Sequence, residues 1–120
     1  MSAPFADFFR KSNSQSPIQP ISPAQAKAKL AESQPPLLLD VRTPDEYHEG
    51  HIPGSRLLPL QELAARRREL PADFNAPLIV YCRSGARSSQ AASMLARMGY
   101  QTIYDLGGIL SWPYAVERGR

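Results

Sequence analysis

One hundred and twenty residues leave room for one compact domain, and 42% hydrophobic with 21% charged residues exclude a collagen, a coiled coil and wholesale disorder. The single cysteine, Cys82, excludes an internal disulfide and any zinc site built on cysteine pairs. Fourteen basic against eleven acidic residues give a net charge of +3, too slight and too scattered for a nucleic-acid binder and better suited to a small anionic partner.

Residues 1–17 read as a flexible N-terminal extension, with the folded domain expected over 18–120. The extension is polar apart from Phe5, Phe8 and Phe9, whose spacing would place three aromatics on one helical face. Neither a secretory apolar run nor a membrane-length one is present, so the expected location is the cytoplasm, away from membranes. Twelve prolines are about twice the usual share of roughly 5%. Pro17, Pro20, Pro23, Pro35 and Pro36 stiffen the early chain, and Ile18 to Ile21 around Pro20 suits an edge strand, because proline donates nothing to a central ladder.

Ser22-Pro23 then reads as an N-cap with proline at the first helical position, opening a helix to about Glu32. Leu37 to Val41 is apolar but too short for a helix, which predicts a buried parallel strand. Thr43-Pro44-Asp45-Glu46 predicts a second capped helix that carries Tyr47 and stops at Gly50. A short strand at Arg56–Leu58 is followed by a predicted helix from Gln61 to Leu70, where Leu63 and Leu70 stand a heptad apart and Pro71 closes the element. Leu78 to Tyr81 is the strongest strand signal and delivers Cys82 at its carboxyl end. Ser88 is expected to cap a helix to Met98, with Gly99 behind it. Thr102–Tyr104 predicts the last strand, and Gly107-Gly108 a turn into a final short helix around Trp112 that ends near Arg118. Strands alternating with helices call for an α/β domain with a parallel sheet.

The chemistry concentrates in Cys82-Arg83-Ser84-Gly85-Ala86-Arg87-Ser88, where a buried strand ends, a loop follows and a helix begins. In such sheets ligands bind at the carboxyl ends of the strands. A loop curling round its first residue turns backbone N–H groups inward, the helix N-terminus adds its dipole, and together they form an anion cradle. That field, with Arg83 and Arg87 nearby, favours a thiolate, the nucleophilic form of cysteine. Cys82 is therefore expected to be acidic and reactive, and to sit at the mouth of the site rather than in the core.

At these residues the chain resembles the rhodanese family, over roughly Pro17 to Arg118. Further marks are Leu39-Asp40-Val41-Arg42, Pro44 with Glu46-Tyr47, Gly50 to Ser55, and Leu106-Gly107-Gly108 followed by Trp112. The resemblance implies a three-layer α/β domain, a five-stranded parallel sheet flanked by helices, and a sulfane sulfur carried on Cys82 as a persulfide. It also implies thiosulfate as a common donor, and cyanide, a thiol or another protein as acceptor, with neither cofactor nor metal called for.

In this reading Cys82 attacks the outer sulfur of the donor, Arg83 binds its sulfonate, and Arg87 orients the loop or offers a second cation. Asp40 and Arg42 serve as support, as a mutual loop-fixing pair. His51 reads as a structural histidine and His48 as exposed helix surface. Arg66-Arg67-Arg68, flanked by Glu62 and Glu69, reads as a solvated face. The alternatives are a persulfide carrier that docks on proteins, with little small-donor turnover, and a cysteine phosphatase. Phosphatases of the related cell-cycle type have five residues between cysteine and arginine, whereas here four intervene, a tighter cradle matched to one sulfur atom rather than to a phosphoryl group.

Overall fold

A computed structural model describes residues 16–119 of the chain. Five parallel strands form one sheet in the order β1-β5-β4-β2-β3: β1 (Ile18–Pro20), β2 (Leu37–Asp40), β3 (Arg56–Leu57), β4 (Leu78–Cys82) and β5 (Ile103–Gly108). Pro20 lies on an edge strand, as its missing N–H requires. The reading of Phe5, Phe8 and Phe9 lies outside the described residues, and among those described no helix is long and apolar enough to cross a membrane.

Side-chain alternation along the central strands divides the core into two layers. Leu38, Ile79 and Tyr81 face the helix α1 (Pro23–Leu30), which contributes Ala26, together with Ile52 and Leu106. Leu39, Val80 and Cys82 face the helix α3 (Ala86–Met98), which contributes Ala91, Ala92 and Leu95. β4 is buried along its whole length, the expected state of a central parallel strand, and each fully buried Leu or Ile contributes about 1.5–3 kcal/mol. Between β2 and β3, α2 (Pro44–Glu49) starts from a complete capping box: the Thr43 hydroxyl accepts the Glu46 N–H, and the Glu46 carboxylate accepts the Thr43 N–H.

Three expectations need correction. No helix spans Gln61 to Leu70; two single 3₁₀ turns, Leu60–Glu62 and Arg67–Glu69, bury Leu63 and Leu70 instead. Arg66 binds Glu62 and Glu69 across these turns, contacts that three- and four-residue spacing supplies without a continuous helix. The final helix around Trp112 is likewise reduced to a 3₁₀ turn at Ile109–Ser111, beyond which Trp112 is extended, ahead of Pro113. Finally, Gly107-Gly108 is the end of β5 rather than a turn: the register with β4 shifts between Val80 and Tyr81, so Tyr81 pairs with Gly107 and Cys82 with Gly108.

Candidate active site

The site forms at the carboxyl end of β4. A backbone loop, Arg83 to Gly85, joins β4 to α3, which begins at Ala86 rather than Ser88. The N-cap position belongs to Gly85, whose φ of 120° falls in the left-handed region open to glycine, and no side chain caps the helix. Cys82 takes that part: the Gly85 N–H donates to Sγ at 3.0 Å, and the first-turn N–H groups of Arg87 and Ser88 are turned towards the same sulfur. Ser88, expected as the cap, is buried inside the first turn, where its hydroxyl donates to the Gly85 carbonyl at 3.1 Å and also favours the thiolate.

Cys82 is 1% exposed and packs with the α3-side core, so it lies at the floor of the loop and not at the mouth. Burial by itself pushes its thiol pKa up. The N–H groups of Ser88, Gly85 and Arg87, with the Ser88 hydroxyl, more than offset this, and the thiol ends below its ordinary value.

The two loop arginines differ. Arg87 lays its guanidinium on Glu46 with two hydrogen bonds, 2.7 and 2.9 Å, tying the first turn of α3 to α2. That pairing, above all, holds Glu46 down at about 2, so the carboxylate stays charged. Arg83 is exposed, and among the described residues its guanidinium has neither a hydrogen-bond nor an ion-pair partner. Ser84 and Ala86 are exposed on the loop's outer side. β5 backs the loop so closely that a Cβ on Gly108 would meet the Arg83 carbonyl oxygen at 2.3 Å and the Ser84 Cα at 2.6 Å.

Asp40 and Arg42 form a buried pair. Arg42 Nε donates to both Asp40 oxygens at 2.9 and 3.1 Å, and its terminal nitrogen reaches Oδ2 at 2.6 Å and the Gly50 carbonyl at 2.7 Å. On the same face the Tyr81 hydroxyl accepts the Ile52 N–H at 3.0 Å and shares a hydrogen bond with Ser55, anchoring the 50–55 turn beneath the site. His51 is buried and stacked on Tyr47 at 3.7 Å, with Nδ1 2.9 Å from the Tyr47 carbonyl, while His48 is exposed. Among the described residues no group of three His, Cys, Asp or Glu side chains is arranged to hold a metal.

Sequence reading missed two members of this site. Glu46 stands in the sequence as a capping acid and as one mark of the resemblance, but its contact with Arg87 spans 41 residues and has no local signal. Gly108 carried the signal of a paired glycine, but the close backbone approach that requires it exists only in three dimensions.

Residues 22–114 match the family model of the rhodanese-like domain. The chain is 38% identical over 96 residues to a sulfurtransferase of Allochromatium vinosum, covering 79% of this chain and 88% of that one. It is 35% identical over 88 residues to the thiosulfate sulfurtransferase GlpE of Pseudoalteromonas translucida, covering 72% and 82%. Among solved structures, a rhodanese-like domain protein from Staphylococcus aureus superimposes with a TM-score of 0.75 at 27% identity, covering 85% of this chain and 99% of that one.

Proposed function

The chain belongs to the rhodanese-like domain family, and from that premise we propose that it is a thiosulfate-type sulfurtransferase working through a persulfide on Cys82. The observation that carries the reading is the thiol at the floor of a ring of backbone N–H groups, with Gly85 N–H 3.0 Å from Sγ. Such donors favour the thiolate before reaction and receive the anionic persulfide sulfur after it, without rearrangement.

The Cys82 thiolate attacks the outer sulfur of thiosulfate. The sulfur–sulfur bond of the donor breaks, sulfite leaves with the electron pair, and Cys82 holds the transferred sulfur. Arg83, charged and unpaired among the described residues, meets the sulfonate. Arg87, neutralised by Glu46, keeps the α3 N-terminus aimed at the sulfur instead. An acceptor thiolate or cyanide then attacks the outer sulfur and restores the Cys82 thiolate. The donors that lower the Cys82 pKa raise the share of thiolate and so do the work of a general base.

Mixing the protein with thiosulfate and cyanide and following thiocyanate tests this. Turnover that vanishes in Cys82→Ala is the expected result; absence of thiocyanate from folded protein with a free thiol contradicts it. A carrier that only relays sulfur to a protein would hold sulfur on Cys82 yet give negligible thiocyanate.

A further inference from the structure

Beside the loop lies a cavity of about 220 Å³, below the roughly 300 Å³ at which sites for drug-sized ligands begin. It is lined by four charged side chains, two of which are already engaged: Arg42 is bound to Asp40, and Glu46 to Arg87. The other two, Arg83 and Glu49, have no hydrogen-bond or ion-pair partner among the described residues. They stand against apolar Leu110 and Val116. Glu49 is the last residue of α2, at the negative end of the helix, where a carboxylate is locally unfavourable. Arg83 directly follows Cys82, and its carbonyl accepts the Leu110 N–H at 3.3 Å, so the cavity adjoins the first residue of the loop.

Resting on the sulfurtransfer reading above, we propose that this cavity is the acceptor subsite and that it takes a small aminothiol zwitterion, its ammonium at Glu49 and its carboxylate at Arg83. One free cation and one free anion in a space of amino-acid size match a ligand carrying one of each. In a two-step exchange sulfite departs before the acceptor binds, so Arg83 serves the donor's sulfonate first and the acceptor's carboxylate second. The acceptor thiolate attacks the outer sulfur of the Cys82 persulfide, the bond to Sγ breaks, and the electron pair returns to Sγ. The product is the acceptor's persulfide, and no outside oxidant or reductant enters.

The test is steady-state transfer from thiosulfate to cysteine, cysteine methyl ester and N-acetylcysteine, comparing Glu49→Gln with the parent for each acceptor separately, so that differences in thiol reactivity cancel. An exposed charge pair of this kind predicts a KM raised roughly two- to fivefold for cysteine and its methyl ester, which keep the ammonium. N-acetylcysteine, which lacks it, keeps its KM. Raising salt should shrink the difference. Equal changes for all three thiols, or none for any, overturn the subsite. Thiocyanate formation by the parent protein separates the two readings: if it persists while the thiols are not distinguished, only the acceptor subsite fails. If neither thiocyanate nor a persulfide on Cys82 forms, both fail.

Discussion

The two ends of the sheet pose opposite environments. At the amino end, Leu70, Pro71, Phe74, Met98 and Tyr100, together with Arg67 and Arg68, line a cavity of about 450 Å³, twice the size of the one beside the loop, with mostly apolar walls and an edge-to-face contact between Phe74 and Tyr100. At the carboxyl end there is less space, yet backbone donors converge there on a thiol, an ion pair fixes the loop, and one arginine remains free. The difference shows that oriented donors, rather than volume, mark the end where charge can be handled. It also shows why parallel strands favour that end: every strand stops there, and the helix that follows presents its unpaired N–H groups.

Substitutions should separate the two ends. Cys82→Ala should reduce sulfur transfer to background, and because Cys82 is a core residue it should also cost about 1 kcal/mol, read from denaturant unfolding. Retained transfer would remove the carboxyl end from the chemistry. Gly108→Ala should come next, since its Cβ would meet backbone at 2.3 Å and must push the loop aside. A loss of about 1–3 kcal/mol and at least tenfold in kcat/KM is expected, with Cys82 still open to alkylation in the folded protein.

Glu46→Gln breaks the ion pair that fixes the loop, and kcat/KM should fall about tenfold. Its effect on stability depends on pH with a definite sign. The carboxyl titrates at about 2 when folded against 4.5 ordinarily, so its contribution is complete above pH 4.5 and disappears as pH falls through 2. Unfolding curves of parent and variant should therefore converge in acid. A constant difference at all pH values would contradict the pairing.

Ser88→Ala should act more gently. Alkylation of Cys82 in the parent should reach half its maximum rate below pH 9.0, the ordinary value for a thiol, and the variant's midpoint should move up, because a side chain that favours the thiolate is lost. At the other end, Phe74→Ala should cost about 1 kcal/mol of stability and leave sulfur transfer unaltered, since half of the ring is already exposed. A change in kcat there would break the contrast.

The capped helices, the central strands and the cysteine loop were legible because each is written locally. Thr43-Pro44 and Ser22-Pro23 carry their caps within four residues, and Leu78 to Cys82 is an unbroken apolar run. Where the signal was ambiguous, tertiary contacts decided. Leu63 and Leu70 fit a helical heptad, yet two separate turns bury both. Ser88 looked like an N-cap, but the helix begins earlier because Cys82 Sγ already receives the N–H groups that a cap would satisfy. Cys82 lies deeper than expected for a related reason: the groups that favour its thiolate are mainly backbone N–H groups, which a buried sulfur at the strand end can receive. Pairings across the sheet, Glu46 with Arg87 above all, have no local signature.

The most direct test of the central claim is the intact mass of the protein after brief incubation with thiosulfate, then again after cyanide. The account predicts the gain of one sulfur atom on Cys82 and its removal by cyanide, with no gain in Cys82→Ala. A folded protein with a free thiol that gains no sulfur, or gains it elsewhere than Cys82, would contradict it.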